Sequence, residues 1–156
     1  ASSAASDVYK RQEFAGVEHR IEYVCEKDGV AYYNDSKGTN PDAAIKGIQA
    51  MNRPTLLIGG GYDKQSTYEE WIQAFDGKVR FLVLIGDTKE KIAKAARSVG
   101  FNDIIMADNL KEAVQICHDK ANAGDAVLLS PACASWDQFK SYEQRGELFK
   151  EYVRAL

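Results

Sequence analysis

The chain has 156 residues, 45% of them hydrophobic and 28% charged, which suffices for one domain with a real core. No apolar run approaches the ~20 residues a membrane span needs. The formal net charge of −3 argues against a general nucleic-acid binder.

The three cysteines, Cys25, Cys117 and Cys133, and the two histidines, His19 and His118, follow no metal-ligand spacing. The cysteines read as reduced thiols of a cytoplasmic protein. Residues 1–12, ASSAASDVYKRQ, are small and polar, with no hydrophobic period and no initiator methionine. They predict a disordered or extraneous tail over residues 1–13 ahead of a domain over 14–156, and a fragment of a longer chain.

From there strands and helices alternate. Ile21 to Cys25 and Val30 to Asn34 are β-rich runs around Asp28-Gly29, a hairpin signal. A polar loop ends in Asn40-Pro41, an N-cap and a first helical position, and Ala44, Ile45, Ile48 and Met51 give the helix its stripe. Thr55 to Ile58 is a buried strand leading into Gly59-Gly60-Gly61-Tyr62-Asp63-Lys64. Thr67 with Glu70 has capping-box spacing for a helix carrying Trp71, Ile72 and Phe75. Val79 to Ile85 is the strongest strand, followed by a helix over Ile92 to Val99 closed by Gly100. Asp103 to Met106 is a short strand, and Asn109 with Glu112 caps the next helix. Ala126 to Leu129 is another buried strand, and Ser135 with Gln138 predicts a helix start directly after the loop Ser130–Ser135. Glu147 to Leu156 is helical. The alternation predicts an α/β, Rossmann-like, mostly parallel sheet flanked by helices, with a possible antiparallel edge hairpin at the start.

In such a sheet the loops Asp35–Asn40, Gly59–Lys64 and Ser130–Ser135 share the carboxyl edge, where ligands bind. They offer Asp35, Lys37, Thr39, Asn40, Lys64 and Ser135, with glycine N–H groups and an expected helix N-terminus at Ser135. That set holds an anion more readily than it abstracts a proton. Gly59-Gly60-Gly61 fits neither G-x-x-x-x-G-K-[ST] nor G-x-G-x-x-G, and alone is a turn. Ser135 is explained as a cap without catalysis, and Cys133 has no evident partner base. Trp136, Phe139 and Tyr142 fall at helical spacing, which makes core packing the default for at least one of them.

Four segments together resemble the Mur ligase family, in its D-glutamate-adding branch. They are His19-Arg20-Ile21-Glu22, Asn34-Asp35-Ser36-Lys37-Gly38-Thr39-Asn40-Pro41, Gly60-Gly61-x-Asp63-Lys64, and Ser130-Pro131-Ala132-Cys133-Ala134-Ser135-x-Asp137-x-Phe139-x-x-x-Glu143-x-Arg145-Gly146. The resemblance runs from about Phe14 to Leu156 and covers what would be a C-terminal, D-glutamate-binding domain.

It implies a cytoplasmic ligase of peptidoglycan synthesis. There ATP, with Mg, phosphorylates the terminal carboxylate of UDP-MurNAc-L-alanine, and the amine of D-glutamate attacks the acyl phosphate. By the same resemblance Lys37, Thr39, Lys64 and Ser135 hold D-glutamate, Trp136 and Tyr142 line its pocket, and Arg20 and Asp35 reach the nucleotide. By the resemblance the phosphate loop and magnesium ligands belong to a central domain and UDP binding to an N-terminal one, so this stretch alone is expected to be inactive. Two departures stand out. Gln65 takes a place where glycine is more frequent, and Trp136 is bulkier than the expected aliphatic residue. The alternative reading is a stand-alone, non-catalytic anion- or nucleotide-binding α/β module. A nicotinamide-dependent dehydrogenase is disfavoured by the missing fingerprint.

Overall fold

The computed structural model describes residues 17–156. The expected tail over residues 1–13, and the start of the domain at residue 14, lie outside them.

Six strands form one sheet: β1 (Glu22–Lys27), β2 (Val30–Asn34), β3 (Thr55–Gly59), β4 (Val79–Leu84), β5 (Ile104–Met106) and β6 (Ala126–Leu129). Their order across the sheet is β1-β2-β6-β3-β4-β5. Every pair is parallel except β1–β2. Asp28 (φ 53°) and Gly29 (φ 78°) both adopt the left-handed conformation of a two-residue hairpin turn, so Lys27 pairs with Val30. The mostly parallel sheet with its antiparallel edge matches the sequence expectation.

Among the described residues five helices cover the two faces: α1 (Pro41–Ala50), α2 (Glu69–Gln73), α3 (Lys89–Ser98), α4 (Leu110–Lys120) and α5 (Tyr142–Arg154). Successive strand residues point to opposite faces. Leu57, Leu82 and Leu128 therefore pack with Ile48, Trp71 and Ile92 of α1 to α3. Their neighbours Leu56, Val83 and Val127 pack with Val114, Cys117 and Phe149 of α4 and α5. A strand buried on both faces needs an unbroken apolar run, which explains Val127-Leu128-Leu129. Each fully buried Leu or Phe contributes about 1.5–3 kcal/mol of transfer free energy.

The capping chemistry is borne out at two helices. Asn40 accepts from the Ala43 amide ahead of Pro41, and Asn109 accepts from the Glu112 amide. It differs at two others. Thr67 caps nothing: α2 begins at Glu69 with Tyr68 in the cap position and no side-chain bond. The last helix begins at Tyr142 rather than beside Ser135. Among the described residues no helix is long and apolar enough to cross a membrane.

Candidate functional site

β2, β6 and β3 are adjacent and parallel, so the loops that follow them emerge side by side. They are bonded to one another. Asp35 N–H donates to Leu129 O (2.7 Å), Ala132 N–H to Gly38 O (2.9 Å), Gly60 N–H to Pro131 O (2.9 Å) and Tyr62 N–H to Ala134 O (2.9 Å). Ser130 Oγ donates to Asp35 Oδ2 at 2.7 Å, and both side chains are buried.

The glycine run serves this packing. A Cβ on Gly60 would lie 2.1 Å from Ile85 O, and one on Gly61 2.5 Å from Ala134 O. Gly61 N–H donates to Thr88 Oγ1 at 3.0 Å. The N–H groups of Gly60 and Gly61 are thus consumed inside the chain, which corrects the expectation that they face an anion.

The helix N-terminus expected at Ser135 is also absent. Ser135 O accepts from Gln138 N–H (3.3 Å) and Phe139 N–H (2.9 Å), a single turn that goes no further. Asp137 Oδ2 accepts from Asp87 N–H at 3.0 Å and so ties this turn to the end of β4. The helix then starts afresh, with Ser141 Oγ accepting from Gln144 N–H at 3.1 Å. Ser135 is 2% exposed, and its hydroxyl makes no hydrogen bond among the described residues.

The cations expected to meet D-glutamate, Lys37 and Lys64, are exposed and form no ion pair among the described residues. Thr39 is half-buried on the same edge. Trp136 is 63% exposed and lies over Tyr62, ring centroids 5.3 Å apart, so it joins the loop that carries Lys64. Tyr142 is half-buried and edge-on to His19 at 6.1 Å. Its carbonyl accepts from Ser36 Oγ at 2.7 Å. Gln65 has φ 63°, the left-handed conformation glycine would supply. Its N–H donates to Asp63 Oδ1 (2.8 Å), whose carboxylate also meets Lys91 Nζ at 3.2 Å.

Arg20 and Asp35 are brought together. Ile21 N–H donates to Asp35 Oδ1 at 3.1 Å. Burial pushes the Asp35 carboxyl up to about 6, against the opposing pull of the Ser130 hydroxyl, the Ile21 amide and the charge of Arg20. Asp35 is therefore held within the chain, whereas Arg20 is exposed.

Sequence reasoning overlooked two supports, Arg145 and Lys150. Arg145, 1% exposed, donates from Nε to Ser36 Oγ (2.9 Å), from Nη2 to Ser36 O (2.6 Å) and from Nη1 to Cys133 O (3.0 Å). Lys150 Nζ lies 3.0 Å from Glu18, 3.3 Å from Glu22 and 3.3 Å from Glu147. It supplies the cation where Glu18, His19 and Glu147 approach one another. Burial pushes the Cys133 thiol up; its sulfur lies 3.3 Å from Tyr68 Oη and 3.4 Å from Thr88 Oγ1. It is a packed thiol, as its lack of a partner base suggested. The one sequence signal for Arg145 was its place in the motif after Ser130; nothing in its neighbours announces a buried guanidinium.

Residues 19–133 match the family described as Mur ligase, glutamate ligase domain. A UDP-N-acetylmuramoylalanine–D-glutamate ligase of Lachnoclostridium phytofermentans is 64% identical over 144 residues, covering 92% of this chain and 32% of that protein. A protein of the same name from Lachnospira eligens is 58% identical over 145 residues, covering 93% of this chain and 32% of that protein. The chain thus spans about a third of the length of these relatives. A murein peptide ligase of Psychrobacter arcticus shares the fold, with a TM-score of 0.67 at 13% identity over 90% of this chain and 30% of that one.

Proposed function

This chain belongs to the Mur ligase family as a C-terminal domain, and we propose that it holds D-glutamate in a cytoplasmic, ATP-dependent ligase that joins D-glutamate to UDP-MurNAc-L-alanine. The observation that carries the reading is the edge built from the loops after β2, β6 and β3. It presents an exposed Lys64 ammonium, the Thr39 hydroxyl and the hydroxyl of Ser135, which makes no hydrogen bond among the described residues. A dicarboxylate needs a cation and hydroxyl donors, and such charge-assisted bonds are the strong ones. Lys37 adds a second cation, and Trp136 and Tyr142 form the walls. With both carboxylates engaged, the amine of D-glutamate stays free to act as nucleophile.

ATP, with Mg, supplies the phosphoryl group that activates the acceptor carboxylate. Arg20 extends toward its phosphate oxygens, and Asp35 fixes the backbone beside Arg20 through the Ile21 amide. The phosphate loop and magnesium ligands would lie in a central domain and the UDP site in an N-terminal one, so the chain alone turns nothing over.

Phosphate release by a complete enzyme carrying this domain tests the reading. It is expected to require UDP-MurNAc-L-alanine and D-glutamate together, to fail with L-glutamate, and to vanish when this chain is assayed alone. Equal turnover of L-glutamate, or release by the chain alone, would contradict it.

A further inference from the structure

Arg145 stands on the first turn of α5, and its side chain runs inward to the carboxyl edge. All three of its side-chain hydrogen bonds go to the loops after β2 and β6. The partner in the first loop is Ser36, next to Lys37 and three residues before Thr39. The partner in the second is the carbonyl of Cys133, two residues before Ser135. Ser36 Oγ, having accepted from Nε, donates its own proton to Tyr142 O. Burial lowers the guanidinium to about 10, so it stays charged at neutral pH. Its planar fork gives three donors of fixed mutual geometry, which a lysine ammonium on a flexible stem does not reproduce.

We infer that Arg145 is a positioning residue for the amino-acid substrate: it sets the spacing between the Lys37–Thr39 segment and the Ser135–Trp136 segment, and so the width of the D-glutamate site. This rests on the function proposed above. Arg145 itself touches no substrate. It acts through Ser36 and Cys133, whose backbones carry the contacting residues. A residue that merely stabilised the fold would affect every substrate alike. One that spaces these two loops affects D-glutamate selectively, because the backbone around Arg20 has ties of its own that do not involve Arg145, Ile21 N–H to Asp35 Oδ1 and the Glu18 and Glu22 carboxylates to Lys150 Nζ.

The test is steady-state kinetics on the complete enzyme carrying Arg145→Lys, Ser36→Ala or Lys64→Ala, each substrate varied in turn, with melting temperatures measured alongside. Arg145→Lys is expected to raise the KM for D-glutamate tenfold or more while the KM for UDP-MurNAc-L-alanine stays within twofold. Ser36→Ala, which removes only the Oγ junction, should give a smaller rise of the same selectivity, about threefold. It decides the matter if the lysine variant does not fold. An unchanged D-glutamate KM, or equal rises for both substrates, in folded variants would overturn the inference when Lys64→Ala still shows a selective D-glutamate defect. If Lys64→Ala shows none, the site reading itself fails.

Discussion

Ser130 Oγ donates a 2.7 Å hydrogen bond to Asp35 Oδ2 across the seam between β6 and β2, in a space that two glycines keep open. A Cβ on Gly38 would lie 2.8 Å from that carboxylate oxygen, and one on Gly47 2.7 Å from it. The carboxylate is thus sealed in, with Ile21 N–H on its other oxygen.

That burial has a pH signature. The Asp35 carboxyl rises from 3.8 to about 6 on folding, so in this window the folded chain binds more protons than the unfolded one. Its contribution to stability is therefore fully present below about pH 4 and is lost as pH rises through about 6. The full change corresponds to about 3 kcal/mol, an upper bound. Asp35→Asn keeps the shape: its Oδ1 accepts from Ile21, and its Nδ2 donates to a rotated Ser130 hydroxyl. Chemical denaturation should show the variant more stable than the parent at pH 7 and equal to it near pH 4. Parallel pH profiles would show that Asp35 does not titrate in this range.

Gln65 holds φ 63° in the turn beside Lys64. A non-glycine residue there costs about 1–2 kcal/mol, partly offset here by the bond from its amide to Asp63. Gln65→Gly should leave the turn's shape unchanged and raise stability by no more than about 1 kcal/mol, because glycine's larger loss of chain entropy on folding offsets part of the relieved strain. A loss of more than about 0.5 kcal/mol in urea denaturation would show that the glutamine side chain makes a contribution the geometry does not reveal. Glutamine here adopts the left-handed conformation that glycine would supply.

Much of the fold was legible because local rules and tertiary context agreed. Asn40-Pro41, Asn109 with Glu112, and Asp28-Gly29 each have one favourable local conformation, and the sheet uses it. The neighbouring loops followed from strand alternation alone. The failure at Ser135 is instructive. Ser135 with Gln138 and Ser141 with Gln144 have the same spacing, and only the second pair caps a helix. The difference lies in Asp137, whose carboxylate is drawn to the Asp87 amide, a residue fifty positions away. The glycine run misled for a similar reason. Its amides look available in sequence and are claimed by Pro131 and Thr88 in space. Arg145 was invisible as a clamp because arginine in a charged helical segment normally reads as surface.

Lys64 is the cation that the D-glutamate assignment of this edge depends on. It is an exposed ammonium without an ion-pair partner among the described residues, on a turn rigidly joined to the Ser135 loop through the Tyr62–Ala134 bond. A hydrogen bond to a charged group is worth about 1.5–3 kcal/mol, and a factor of ten corresponds to about 1.4 kcal/mol. Steady-state kinetics of Lys64→Ala in the complete enzyme should therefore show the KM for D-glutamate raised about ten- to a hundredfold, with the KM for UDP-MurNAc-L-alanine nearly unchanged. An unchanged D-glutamate KM in a normally folded Lys64→Ala enzyme would contradict the assignment of this edge to D-glutamate.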